Sequence, residues 1–127
     1  MNIGVGLPTT TPGHDGSLVM GWARRADELP FSSLAVLDRL AYRSLDPFTA
    51  LAAAAGATRR VRLATMVAIG PLRNLALLAK QASSLDSLSS GRLVLGLAVG
   101  ARLDDYELAG VEHRGRGARL AEQLAYL

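Results

Sequence analysis

Two apolar segments of strand length, with an amphipathic stretch between them, constrain this chain more than anything else in it. Val61 to Ile69 carries one charge, Arg62, and Arg92 to Val99 is uncharged after its first residue. A strand buried on both faces reads this way, because helices cover both sides of a parallel sheet. Gly70-Pro71 ends the first segment, since proline lacks the donor that a central strand needs. From Asn74 the period changes. Leu75, Leu78, Ala82 and Leu85, with Leu88 beyond, recur at three and four residues and form one stripe. Asn74 is placed to cap this helix and Gly91 to close it. The stretch is a βαβ unit, and its parallel strands require a right-handed crossover.

The same unit recurs along the chain. Asn2 to Leu7 is a short apolar strand closed by Pro8, and Ser33 to Leu37 is a second. Strand starts at 2, 33, 61 and 92 are separated by 31, 28 and 31 residues, although no sequence repeat underlies the spacing. Asp15 or Ser17 caps a first helix whose Trp22, Ala26 and Leu29 share a face. Asp46-Pro47 is an N-cap followed by proline at the first helical position, and Ala50 to Ala57 continues that helix. Units of about thirty residues suit either a doubly wound sheet or a (β/α)8 barrel. Eight would need about 240 residues, near the usual barrel size of about 250. Four are present, and Arg119 to Leu127 has helical spacing with no stop signal after it. The expectation is one domain over residues 1–127: the N-terminal half of a TIM-type barrel, truncated at its C-terminal end. A complete small four-stranded α/β domain is the alternative.

Composition narrows the chemistry. Half of the 127 residues are apolar, enough for a packed core rather than disorder. The absence of cysteine removes disulfides, thiolate metal sites and thiol nucleophiles together. No apolar run reaches the roughly 18 residues that span a bilayer, and no secretory signal opens the chain. These features fit a cytoplasmic protein with no membrane partner. Arginines cluster at Arg114, Arg116 and Arg119, between glycines. Such a group suits a phosphate or nucleic acid, but without aromatic interleaving a solvated helix entry is the better reading, and no nucleic-acid partner is expected.

Metal and nucleophile signals are poor. His14 and His113 lie far apart, neither has a second ligand at metal spacing, and both read as loop residues. Gly4-Val5-Gly6 and Gly96 to Gly100 are only fragments of a dinucleotide fingerprint. Asp38-Arg39 carries more weight, because both follow directly on the second strand. The C-terminal ends of strands hold the ligand site in barrels and open sheets alike. The pair suits positioning of a polar substrate or a cofactor ring, and equally a structural ion pair or helix cap. Met66, Val67 and Ala68, at the end of the third strand, suit contact with a flat ring, or simply the core.

The wording around the third helix is more specific. PLRNLALLAKQASSLDSLSSGRLVLGLAVG resembles the pattern of the bacterial luciferase-like monooxygenase family through Arg73, Ala79, Lys80, Leu85, Asp86, Leu88, Ser89, Gly91, Arg92, Gly96 and Gly100. MNIGVGLP at the start, SSLAVLDR on the second strand, Asp104-Asp105-Tyr106, Ala109-Gly110 and RGRGARLAEQL are also similar to it, in collinear order. The resemblance implies the N-terminal half of a (β/α)8 barrel and oxidoreductase chemistry with FMN or coenzyme F420 on a small organic substrate. Reduced FMN would react with oxygen and oxygenate the substrate; F420 would exchange a hydride. It implies catalytic roles for Asp38 and Arg39, and cofactor contacts from Met66, Val67, Ala68 and Gly100. It also implies a non-proline cis peptide at Met66-Val67 or the next bond. Arg39 departs from the family, whose light-producing members carry a catalytic histidine there; arginine is no base near neutral pH. Leu75 stands where proline is common. The family's phosphate contacts come mainly from the second half of the barrel, so this chain would supply one wall of the ring pocket. Self-association is expected, and a non-catalytic half-barrel acting as an oligomerisation or folding partner is the alternative function.

Overall fold

In the computed structural model, which describes residues 1–13 and 15–127, the four expected βα units follow one another in order. The expectation for His14 lies outside the described residues. Strands β1 (Gly4–Gly6), β2 (Ser33–Val36), β3 (Arg62–Thr65) and β5 (Leu93–Val94) form a parallel sheet in the order β1-β2-β3-β5. Two short strands, β4 (Ala68–Ile69) and β6 (Leu97–Ala98), pair with each other beyond the ends of β3 and β5. Helices α1 (Gly16–Glu28), α2 (Pro47–Ala57) and α3 (Leu75–Leu88) are the crossovers, and α4 (Leu103–Ala109) and α5 (Arg116–Tyr126) follow the last strand.

Each long apolar segment is two strands rather than one. Thr65 is the reason: its Oγ1 donates to the Gly96 carbonyl at 2.7 Å and accepts from the Gly96 N–H at 2.8 Å. A side-chain hydroxyl thereby serves the backbone where the ladder breaks. The Met66-Val67 peptide in the gap is cis, at the place the resemblance implied. Gly96 is required there, because a Cβ would sit 2.4 Å from the Thr65 carbonyl oxygen.

The sheet has two faces of different character. Leu34, Val36 and Leu63 are buried under the helices, with Leu51, Leu78 and Leu85 from α2 and α3. Alternation puts Ser33, Ala35, Arg62 and Ala64 on the opposite, inner face. The register lines these up as Gly4–Ser33–Arg62 and Gly6–Ala35–Ala64–Val94.

The helices begin as the sequence indicates. Asp15, Asp46 and Asn74 each accept a backbone N–H of the first turn. The buried residues of α1 are Val19, Ala23 and Ala26, and the expected face of Trp22, Ala26 and Leu29 lines a cleft with Val5 and Phe31 in which Trp22 stands 45% exposed. Small residues occupy the line where α1 lies on the sheet, and the indole is set to its margin. On α3 the stripe buries Leu78, Ala82 and Leu85 and leaves Leu88 outside. Leu124 and Leu127 of the last helical stretch are exposed, while Gln123 is the buried residue of α5. Among the described residues no helix is long and apolar enough to cross a membrane.

At the N-terminal ends of the strands, arginine and aspartate hold the helix exits. Asp27 accepts the consecutive N–H groups of Arg59, Arg60 and Val61 at 2.8–2.9 Å. Arg60 donates to the carbonyls of Asp27, Leu29 and Phe31, closing the end of α1. Arg92 does the same for α2, bonding Ala55, Thr58 and Val61 carbonyls as well as Ser89 behind it. These carbonyls are among the orphans that every helix end and strand entry must satisfy.

Candidate functional site

Parallel strands place their C-terminal ends on one side, and there Asp38, Arg39, Met66 and Gly100 come together. Asp38 is buried. Its Oδ2 accepts the Ile69 N–H at 2.9 Å and the Arg73 guanidinium at 2.9 Å. Arg73 reaches on to Asp46 at 3.2 Å and lies over the Phe48 ring. Asp38 thus ties the end of β2 to the turn after β4 and to the start of α2.

Arg39 points the other way along the mouth. Its Nε contacts Asp105 at 2.7 Å and its NH2 contacts Asp104 at 3.1 Å. The guanidinium also lies 4.0 Å from the centre of the Tyr42 ring. Burial works to lower the Arg39 pKa, but the hydrogen bond and charge of Asp105 outweigh it and hold the value above the ordinary one. Arg39 is a fixed cation. The buried Asp105 uses its second oxygen to accept the Ala41 N–H, pinning the loop after β2 to α4. Asp104 is held below the usual carboxylate range, first by its hydrogen bond to Arg102. Beside it, the buried Tyr106 donates to the Val99 carbonyl, and burial pushes its phenol pKa up.

Between the two ion-paired loops the surface is apolar. Met66 and Val67 are 61% and 40% exposed, and Leu37 is 53% exposed. Ala68 is fully buried in the core, so it supports the segment from behind rather than facing the mouth. Gly100 has φ +70°, and a Cβ there would meet the Ile69 side chain at 2.7 Å, so only glycine lets the fourth unit close on the third. A cleft of about 510 Å³ opens beside Met66 and Leu37 and runs down the inner face past Ala35, Gly6 and Gly4 to Thr9 at its side. A larger groove of about 610 Å³ lies elsewhere, between α3, β5 and the end of α5.

The sequence places Asp38, Arg39, Met66, Val67, Ala68 and Gly100 at this mouth, of which Ala68 lies buried behind it, and does not disclose the partners that fix them. Arg73 stood in the motif without a role, and Asp105 had no visible link to Arg39, 66 positions away. The signal that finds them is topological: every loop after a parallel strand lands on the same side. The arginine cluster serves its own loop, with Arg119 donating to the Arg114 and Glu112 carbonyls and Arg116 to that of His113. His113 stacks edge-on against Tyr106, and no group of metal ligands occurs among the described residues.

The sequence pattern of a family described as luciferase-like monooxygenase matches residues 1–127. An uncharacterised protein of Mycobacterium tuberculosis is 40% identical over 82 residues, 65% of this chain and 29% of its own length. The oxygenase component of the flavin-dependent trigonelline monooxygenase of Acinetobacter baylyi is 36% identical over 81 residues, 62% of this chain and 22% of its own. Among solved structures, the monooxygenase RslO1 from Streptomyces bottropensis superimposes with a TM-score of 0.85 at 30% identity, over 98% of this chain and 41% of its own. The oxygenating constituent of 3,6-diketocamphane monooxygenase from Pseudomonas putida, solved with FMN, gives 0.85 at 24%, over 99% and 38%. The coenzyme F420-dependent tetrahydromethanopterin reductase of Methanopyrus kandleri gives 0.72 at 20%, over 87% and 30%. The latter two share the fold. The chain therefore spans less than half the length of each of these relatives.

Proposed function

The chain belongs to the luciferase-like monooxygenase family, and from that premise we propose that it forms one wall of a flavin or deazaflavin site in an oxidoreductase acting on a small organic substrate. The observation that carries this reading is the exposed Met66-Val67 platform, flanked by Asp38 and Arg39 at the strand ends. A flat, largely apolar ring fits against such a platform, because its faces are covered without leaving polar groups unpaired. FMN and F420 both present a ring of this kind. When bound, FMN supplies oxygen activation and F420 supplies hydride transfer.

The residues of this chain then have distinct tasks. Met66 and Val67 support the ring face and Leu37 keeps water from its edge. Asp38 holds the Ile69 N–H and Arg73, and so fixes the segment that carries the platform. Arg39 cannot take up a proton, being cationic and bound to two carboxylates; it supplies a fixed positive charge beside the ring and anchors the loop over it. Gly100 lets the fourth unit approach Ile69 and complete the wall.

A second reading, a non-catalytic half-barrel that serves as an oligomerisation or folding partner, draws on the exposed inner face of the sheet. Either way the chain on its own is expected to self-associate, since unpaired strand edges template further pairing. Titration with FMN and with F420, followed by ligand fluorescence in an assembly that contains this chain, tests the first reading. Saturable binding weakened by Met66→Glu supports it; no binding of either cofactor in any such assembly leaves only the second.

A further inference from the structure

Helix α5 buries one side chain, and that side chain is polar: Gln123. Its Nε2 donates to the Gly70 carbonyl at 2.9 Å and to the Arg73 carbonyl at 3.0 Å, 53 and 50 positions away. The amide lies so close to the turn that a Cβ on Gly70 would fall 2.5 Å from Gln123 Oε1 and 3.0 Å from Leu120 Cδ1. Turning the amide aside to admit one would break both bonds.

Packing alone does not call for an amide here. The Gly70 carbonyl already accepts the Arg73 N–H at 2.8 Å, and Gln123 Oε1 is buried with no hydrogen-bond partner among the described residues. A buried acceptor left unpaired costs free energy, whereas a methionine of similar length would fill the space without one. What the amide adds is geometry, because it fixes carbonyls at both ends of the turn 70–73.

The other side of that turn is held by Asp38, whose Oδ2 accepts the Ile69 N–H and the Arg73 guanidinium, each at 2.9 Å. Residues 69–73 are gripped from two directions, by a carboxylate following β2 and by an amide from α5. The two grips meet at Arg73, whose carbonyl takes Gln123 and whose guanidinium takes Asp38. Immediately before the gripped segment stand the exposed Met66 and Val67 and the buried Ala68.

We infer that Gln123 is a positioning residue for the ring site: it sets the Arg73 backbone so that the guanidinium meets Asp38, and thereby fixes the segment that carries Met66 and Val67. The purpose of the clamp rests on the flavin or deazaflavin reading of the mouth; the coupling between the two grips does not.

Gln123→Met keeps the length of the side chain and removes both donors. Amide exchange in the purified full chain, resolved to single residues by mass spectrometry, is read at Arg73, which the amide flanks, and at Ile69, which it does not bond. Both should exchange about tenfold faster, the scale of one or two lost hydrogen bonds. Val61, held by Asp27 at the other end of the sheet, should keep its rate. Gly70→Ala displaces the amide with Gln123 still in place, and should act in the same way. Asp38→Asn keeps an acceptor for the Ile69 N–H and severs the link to Arg73, so in that background Gln123→Met should change Ile69 little. Three outcomes overturn the inference: Ile69 indifferent to both Gln123→Met and Gly70→Ala, Val61 loosened as much as Ile69, or additive effects of Gln123→Met and Asp38→Asn. Titration of the same variants with FMN and F420, in an assembly that contains this chain, should show affinity about threefold weaker. Unchanged affinity beside altered exchange removes the positioning role. Failure of the ring reading looks different, because the wild type then binds neither cofactor while the exchange effects persist.

Discussion

The two ends of the sheet use arginine and aspartate in opposite ways. At the N-terminal end, Arg60 and Arg92 spend their donors on backbone carbonyls, and Asp27 accepts three consecutive backbone N–H groups. At the C-terminal end, Arg39 and Arg73 bond carboxylates that belong to other segments: Asp105 and Asp104 of α4 for one, Asp38 and Asp46 for the other. The first arrangement closes helix ends and would serve any barrel. The second ties together loops that are far apart in sequence and leaves an apolar surface between them. Stability is concentrated at one end and adjustable geometry at the other, as expected where ligands bind at the C-terminal face.

The comparison breaks first at Arg92. Arg92→Ala leaves carbonyls of Ala55, Thr58 and Val61 without their donor, at the joint of α2, β3 and β5. The expected loss is about 3 kcal/mol, since each unsatisfied buried group costs roughly 1–3 kcal/mol. Arg92→Lys should recover little of it, because a point ammonium cannot reproduce the planar fork. Denaturant unfolding of the folded assembly measures this. A loss no greater than that of a surface arginine would erase the distinction between the two ends.

Asp38 comes next. Asp38→Ala removes the acceptor of the Ile69 N–H and strands the Arg73 guanidinium, for an expected loss of about 2 kcal/mol. Asp38→Asn keeps a carbonyl for Ile69 and loses only the charge, so it should fall between the alanine variant and the wild type. If both substitutions proved equally costly, the ion pair with Arg73 would be the whole of the effect and the backbone contact none of it.

These contrasts also show where sequence reading reached and where it stopped. Strand starts read at 2, 33, 61 and 92 stand at Gly4, Ser33, Arg62 and Leu93, because buried strands and proline breaks are local signals. The caps Asp46 and Asn74 were equally legible. The break of the third and fourth strands was not visible in their hydropathy. It depends on Thr65 reaching Gly96 across 31 positions, a contact that exists only once the strands are paired. Helix α4 was missed for a related reason. Its seven residues carry no long stripe, and it is held by Asp105 to the Arg39 loop and by Tyr106 to Val99. The placing of Asp38 and Arg39 at the mouth followed from topology alone, whereas their partners required the fold.

Arg39 sharpens the comparison through function rather than stability. In a cofactor-loaded assembly Arg39→Ala should reduce turnover by about tenfold, the scale on which a misplaced loop impairs a preorganised site. Unfolding must be measured alongside, because Arg39→Ala leaves the buried Asp105 with the Ala41 N–H as its remaining partner, whereas Asp104 reaches solvent. Arg39→Lys should restore part of the turnover if fixed charge matters, and none if the planar contact with Tyr42 and Asp105 matters. Turnover unchanged by both substitutions would make Arg39 purely structural, and the two ends of the sheet would then differ in geometry only.

The smallest expected effect lies at the N-terminal end and depends on pH. Burial alone would raise the Asp27 pKa, but the backbone N–H groups of Val61, Arg59 and Arg60, aided by the Arg60 charge, outweigh it and bring the value below its ordinary 3.8. A carboxylate depressed on folding contributes stability that is fully present above the unfolded value. That contribution is lost as pH falls through the folded one. Because Asp27 is only partly buried, the contribution is expected to stay under about 1 kcal/mol after solvent screening. Asp27→Asn should therefore be slightly less stable than the wild type at neutral pH, and the gap should narrow as the medium is taken below about pH 4. At the other end Asp104 is also depressed, but chiefly by Arg102, an exposed side chain that can follow it into solvent, so Asp104→Asn should narrow the gap less. Unfolding midpoints of the two variants against pH decide between them. Equal acid sensitivity would mean that backbone donors and side-chain donors hold a carboxylate alike, and the contrast between the two ends would rest on Arg92 alone.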